Sequence, residues 1–81
     1  MHVSNTFRGK CVAAVGSMTA AIKARRVLLS FGIDAEVVAL APEETRRGCA
    51  YGTEFQAQNE AAARAALRGA RISVSQYILR G

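Results

Sequence analysis

Two stretches of helical periodicity, each set between short apolar runs, constrain what this 81-residue chain can become. Over residues 18–31, plotted at about 100° per residue, Ala20, Ala21, Ala24, Val27, Leu28 and Phe31 share one broad apolar face. Met18, Ile22 and Leu29 extend that face, while Thr19, Lys23, Arg26 and Ser30 lie opposite. Arg25 falls inside the apolar arc, so it must snorkel or meet a partner. Ser17 supplies a side-chain oxygen for the helix start, and Gly32 supplies the left-handed residue wanted at its end. The second helix, residues 58–68, is alanine-rich with high intrinsic propensity and is stopped by Gly69.

The remaining apolar runs read as strands. Residues 10–16 (KCVAAVG) form a short buried strand between Gly9 and Gly16. Residues 33–40 begin with strict alternation, Ile33, Ala35 and Val37 on one face and Asp34 and Glu36 on the other. A loop over 41–48 starts at Pro42 and closes at Gly48, with Glu43 and Glu44 as a solvated turn. Residues 49–55 (CAYGTEF) make a third strand, with Gly52 marking a bulge or a close approach. Residues 71–79 return to strand, with Ile72, Val74, Gln76 and Ile78 on one side.

The order is therefore βαββαβ. Adjacent, uncrossed, right-handed connections fold it most simply as an α+β, ferredoxin-like domain. Its four-stranded antiparallel sheet has the order 4-1-3-2, with the two helices on one face. The other face would show Val38, Leu40, Tyr77 and Leu79, apolar enough to offer a homodimer surface through the open sheet. Residues 1–9 read as a flexible N-terminal segment and 10–81 as a single domain. A domain this size buries only about 60% of its unfolded surface, so its alanine- and valine-rich core must pack closely.

Eleven basic against six acidic residues give a formal charge of +5, which favours anionic partners. The basic residues are scattered, so a solvated basic surface is the plainer reading. No charged segment followed by an apolar stretch opens the chain, and no apolar run approaches the roughly 20 residues of a membrane span. A cytoplasmic protein with free thiols is expected, with no metal and no cofactor.

The topology singles out one of the two cysteines. Strand three begins where strand one ends, so Cys49 is expected near Gly16 and the helix entrance at Ser17, Met18 and Thr19. Free amide hydrogens at a helix start favour a nearby negative charge, and Arg46 and Arg47 would add to that field. Such a cysteine has its thiolate stabilised, and Gly48 keeps bulk away from the sulfur. Cys11 belongs at the opposite end, roughly 15 Å or more away, too far for a disulfide and best read as a small hydrophobe.

These residues resemble the selenium/sulfur carrier-like family of small bacterial domains. The matching stretches are Ser17 with Ala21, Ala24 and Leu28, the Gly32-Ile33 turn, the cysteine strand ending at Phe55, and Gly69-Ala70-Arg71-Ile72. The likeness runs from Lys10 onward. Many relatives carry glycine directly after the cysteine and small hydroxyl residues before it, where this chain reads Arg46-Arg47-Gly48-Cys49-Ala50. The resemblance implies that Cys49 holds sulfur or selenium as a persulfide or selenosulfide; the topology and the local charge, not the resemblance, offer Arg46, Arg47, Gly48 and Ser17 as the residues around it. It also implies a sulfur- or selenium-donating partner such as a cysteine desulfurase, and an acceptor enzyme. A carrier needs no base of its own, which suits a chain whose one histidine, His2, lies near the start.

Two other classes compete. An RNA-binding module of this topology stacks bases on aromatics of its middle strands, and here only Tyr51 and Phe55 are candidates. Nucleic acid is accordingly not the expected partner. A small interaction module would bind an anion at the Ser17 helix start and lose nothing on replacement of Cys49. An enzyme with its own active site is the least supported, since no acid pair, metal-ligand spacing or phosphate-cradling loop is present.

Overall fold

A computed structural model describes residues 9–45 and 50–80. The elements are β1 (Lys10–Ala14), α1 (Met18–Ser30), β2 (Ala35–Ala39), a single 3-10 turn (Pro42–Glu44), β3 (Tyr51–Gln56), a second 3-10 turn (Ala57–Asn59), α2 (Glu60–Gly69) and β4 (Gln76–Arg80). The strands pair antiparallel in the order β2-β3-β1-β4, which is the expected 4-1-3-2 arrangement. Cys11 and Ala13 of β1, Ala35 of β2 and Phe55 of β3 meet Ala24 and Leu28 of α1 and Ala63, Ala66 and Leu67 of α2 in one core. Both helices thus cover the same face.

Alanines let the helices sit close to the sheet. The Thr53 hydroxyl, fully buried in β3, donates to the Ala21 carbonyl at 2.8 Å and ties α1 to the sheet. Arg25, the cation inside the apolar arc, finds its partner at the edge: its Nε donates to the Ala35 carbonyl at 2.9 Å. Ser17 caps α1 by accepting from the Ala20 amide at 3.1 Å. Phe31, expected on the core face, is instead 66% exposed. It is the C-cap of α1, where the backbone has left helical geometry and the side chain falls out of register with the core stripe.

Both helices end with the same pair of hydrogen bonds, one closing a five-residue step and one a three-residue step. At α1 these run from Ile33 to Leu28 and from Gly32 to Leu29, with Gly32 left-handed at φ +78°. At α2 they run from Ile72 to Leu67 and from Arg71 to Arg68, and the left-handed residue is Arg71 at φ +61°. Gly69, expected to stop the helix, is its last helical residue.

The fourth strand differs from its sequence reading in length and in face. It begins at Gln76, not at residue 71. Ile72 and Val74 pack against the helical core before the strand starts, and Tyr77 takes up that face after them. The three-residue step from Val74 to Tyr77 breaks the alternation, so Tyr77 lies under the helices and Ile78 on the open face. Arg64 lies over the Tyr77 ring at 4.1 Å and pairs with Glu60 one turn earlier, which closes this flank.

The open face has a small core of its own. Val12, Ala14 and Leu40 are buried there, with Val38 and Ile78 against them. Gly52 is the close-approach point: a Cβ at this position would stand 2.6 Å from Val12 Cγ1 and 2.8 Å from the Ala13 carbonyl oxygen.

Candidate functional site

β1 runs out at Ala14, and there several chain segments converge. The Val15 amide donates to the Tyr51 carbonyl at 3.0 Å, the Leu40 amide to the Ala50 carbonyl at 2.8 Å, and the Ser75 amide to the Ala14 carbonyl at 2.9 Å. Gly16, left-handed at φ +102°, turns the chain into Ser17 and α1. One end of the sheet therefore collects the close of β1, the head of β3, the residue after β2 and the start of α1. The Ser17 cap leaves the Met18 and Thr19 amides, which no intrahelical carbonyl can reach, facing outward with no acid in the first turn to meet them.

Of the site residues read from the sequence, Ser17 is at this end, acting as the helix cap. Cys49, Arg46, Arg47 and Gly48 lie outside the described residues; they join Thr45 to Ala50. Cys11 sits toward the other end of β1, paired with Phe55 and Leu79 and without exposed surface. Burial, with Glu60 adding to it and Arg64 opposing, pushes its thiol up to about 11. It is a free cysteine serving as a small core residue.

One constellation, on the open face and reaching toward the Lys10 end of β1, was not read from the sequence. Arg80 of β4 forks onto Glu44 (Nη2 to Oε2 2.8 Å, Nη2 to Oε1 3.0 Å) and reaches Glu54 of β3 at 3.4 Å. Arg80 and Glu54 belong to the open face, in the rows of Lys10 and Val12. Leu40 and Ala41 leave the far edge strand, so Ala41–Glu44 must run over this face for the carboxylate to meet Arg80. Glu44 also accepts from the Ala41 amide at 2.9 Å and so closes its own turn. Those two contacts, the amide first, hold the Glu44 carboxyl below its ordinary value. The Glu43-Glu44 pair is thus divided in role: Glu44 fastens the β2–β3 connection. A glutamate three residues after Ala41, with proline between, is a capping signature that could have flagged it.

The aromatic side chains of β3 do not form a base-stacking platform. Thr53 and Phe55 belong to the helix-covered core, and Tyr51 shares their side of the pleat. The open face carries aliphatic and charged side chains instead. Among the described residues no group of three or more His, Cys, Asp or Glu side chains could hold a metal ion. No described helix is long and apolar enough to cross a membrane.

The class is defined by these features: a small α+β domain with an antiparallel 4-1-3-2 sheet, one cysteine sealed in the core and another in the connection between the second and third strands. A family model described as "Putative Se/S carrier protein-like" matches residues 10–78, and the chain belongs to that family. Among curated proteins and among solved structures, nothing matches it.

Proposed function

We propose that this protein carries sulfur or selenium on Cys49, as a persulfide or selenosulfide, and passes it from one partner enzyme to another. The observation that carries the reading is the condition of the other cysteine. The chain has two, and Cys11 is sealed in the core with its thiol pushed up to about 11. That supports Cys49 as the carrier thiol in this reading. Sequence joins it directly to Ala50, whose carbonyl is fixed at the end of the sheet where α1 begins. In this reading the first amides of α1 and the guanidinium groups of Arg46 and Arg47 favour the thiolate. A glycine at position 48 adds no side chain before the cysteine, and Ser17 fixes the helix start.

The transfer is an exchange without net oxidation. The Cys49 thiolate attacks the terminal sulfur of a donor persulfide, such as that of a cysteine desulfurase. The donor's S–S bond breaks, its cysteine leaves as thiolate, and Cys49 becomes the persulfide. A nucleophile of the acceptor enzyme then attacks the terminal sulfur, and Cys49 leaves as thiolate. For selenium, the donor's S–Se bond breaks as the new bond forms between the Cys49 sulfur and selenium. Donor and acceptor supply the acid-base groups.

The test is peptide mapping by mass after incubation with a cysteine desulfurase and cysteine. One added sulfur on the Cys49 peptide, lost in Cys49→Ser and kept in Cys11→Ala, is the expected result. Loading on Cys11, or on neither cysteine, would overturn the reading.

A further inference from the structure

We infer that this domain pairs with a second copy of itself through the edge of β2 that no described strand covers, with the two α1 helices packing side by side above the joined strands. Three observations meet at that edge. The first is which backbone groups are free. Leu40 bonds to Ala50 in the ladder with β3, so with a period of two Val38 and Glu36 also bond inward. Ala35, Val37 and Ala39 then direct their N–H and C=O groups away from the sheet. The Ala35 carbonyl accepts one bond from Arg25 and keeps its second lone pair for a pairing strand, and none of the described side chains bonds to Val37 or Ala39.

The second is the apolar stripe beside it. Met18, Ile22 and Leu29 are 49%, 41% and 40% exposed, three of the five large apolar side chains left in solvent among the described residues. Their spacing puts them on one line of α1 with Arg25, whose bond to Ala35 shows that this line overhangs β2. The opposite edge is built differently. Arg64 and Arg68 of α2 stand beside Tyr77 of β4, a charged flank that would repel its own copy.

The third is dimensional. α1 packs on both β2 and β3, so its axis lies above the gap between them. With strands about 4.8 Å apart, a two-fold axis beside β2 separates the α1 axes by about 10 Å, the packing distance of two helices. Centring that axis on Val37 pairs Val37 with itself through two hydrogen bonds and Ala35 with Ala39. It also sets Glu36 against Val38, so no like-charged side chains pair across the two joined strands. The two copies then share one eight-stranded sheet, and the thin core gains an apolar contact.

Sedimentation equilibrium of the full chain, up to sub-millimolar concentration, tests this together with amide exchange. The wild type is expected at twice the chain mass, with the Val37 and Ala39 amides protected. Ile22→Glu, an exposed helix position, should weaken the dimer at least about tenfold and release those amides, with an unchanged far-ultraviolet spectrum. Val37→Pro, which removes only an outward N–H, should give a monomer. Should Val37→Pro fail to fold, Leu29→Glu repeats the test from the helix side. A wild type that stays monomeric overturns the proposal. So does a dimer that survives Ile22→Glu and Leu29→Glu, or one that dissociates only with Ile78→Lys on the open face.

Discussion

Replacing Gly52 with alanine puts a methyl group into space that three neighbours already fill. The added Cβ would lie 2.6 Å from Val12 Cγ1, 2.8 Å from the Ala13 carbonyl oxygen and 3.2 Å from Leu40 Cδ1. Favourable carbon contacts begin near about 3.5 Å, so the first two fall short by the better part of an ångström. Val12 is fully buried and can yield only by leaving its rotamer, which costs about 0.5–1.5 kcal/mol. The Ala13 carbonyl belongs to a central strand bonded on both sides and cannot yield separately. Overpacking of this kind costs about 1–3 kcal/mol, and the immobile carbonyl puts Gly52→Ala in the upper half, about 2–3 kcal/mol. For a domain this small the melting temperature should fall by roughly 10–15 °C. Urea unfolding should give the same loss with an unchanged slope. Val12→Ala removes the nearest atom, so the double variant should recover about 1 kcal/mol relative to the sum of the single changes. A loss below about 0.5 kcal/mol, or strict additivity with Val12→Ala, would refute the steric reasoning.

Arg71→Gly should stabilise the domain by about 0.5–1 kcal/mol in urea unfolding, because a left-handed residue with a Cβ is replaced by one that adopts the conformation freely. Thr53→Val should cost about 1 kcal/mol by removing the buried hydroxyl that donates to Ala21, measured the same way. Stability should also fall at alkaline pH. The unfolded Cys11 thiol ionises near its ordinary 9.0 while burial holds the native one protonated to about 11, so the native state retains the proton across that window. The contribution is whole below about 9 and is lost progressively toward 11, on the order of 2–3 kcal/mol; Cys11→Ala should remove that part of the pH slope. The Glu44 carboxyl should titrate below its ordinary 4.5 by NMR and move upward in Arg80→Met, while the Ala41 amide keeps part of the shift.

The fold was legible because its signals are local. Ser17 caps, Gly32 turns, and the alternation from Ile33 sets the face of β2, each decided within a few residues of chain. What escaped depends on contacts distant in sequence. The face of β4 is set by Ile72, Val74 and Tyr77 competing for one core, and periodicity carried across a bend cannot report a three-residue step. The Glu44–Arg80 clamp joins residues 36 apart and exists only once the sheet brings the end of the chain against the β2–β3 connection. Phe31 looked buried because the wheel was extended one residue past the helix. The candidate site divides along the same line. Topology alone predicted that the head of β3 and the start of α1 share one end, and the Val15–Tyr51 bond fits that. The dual duty of Glu44, closing its turn and clamping Arg80, was not in the pattern.

Alkylation of the native protein at neutral pH, followed residue by residue by mass, bears most directly on the central claim that one thiol works while the other is structural. Cys49 should be modified rapidly, and with an apparent pKa below about 8.5. Cys11 should react only at the rate of unfolding, accelerating with urea. Equal and slow modification of both, or faster modification of Cys11, would contradict the account.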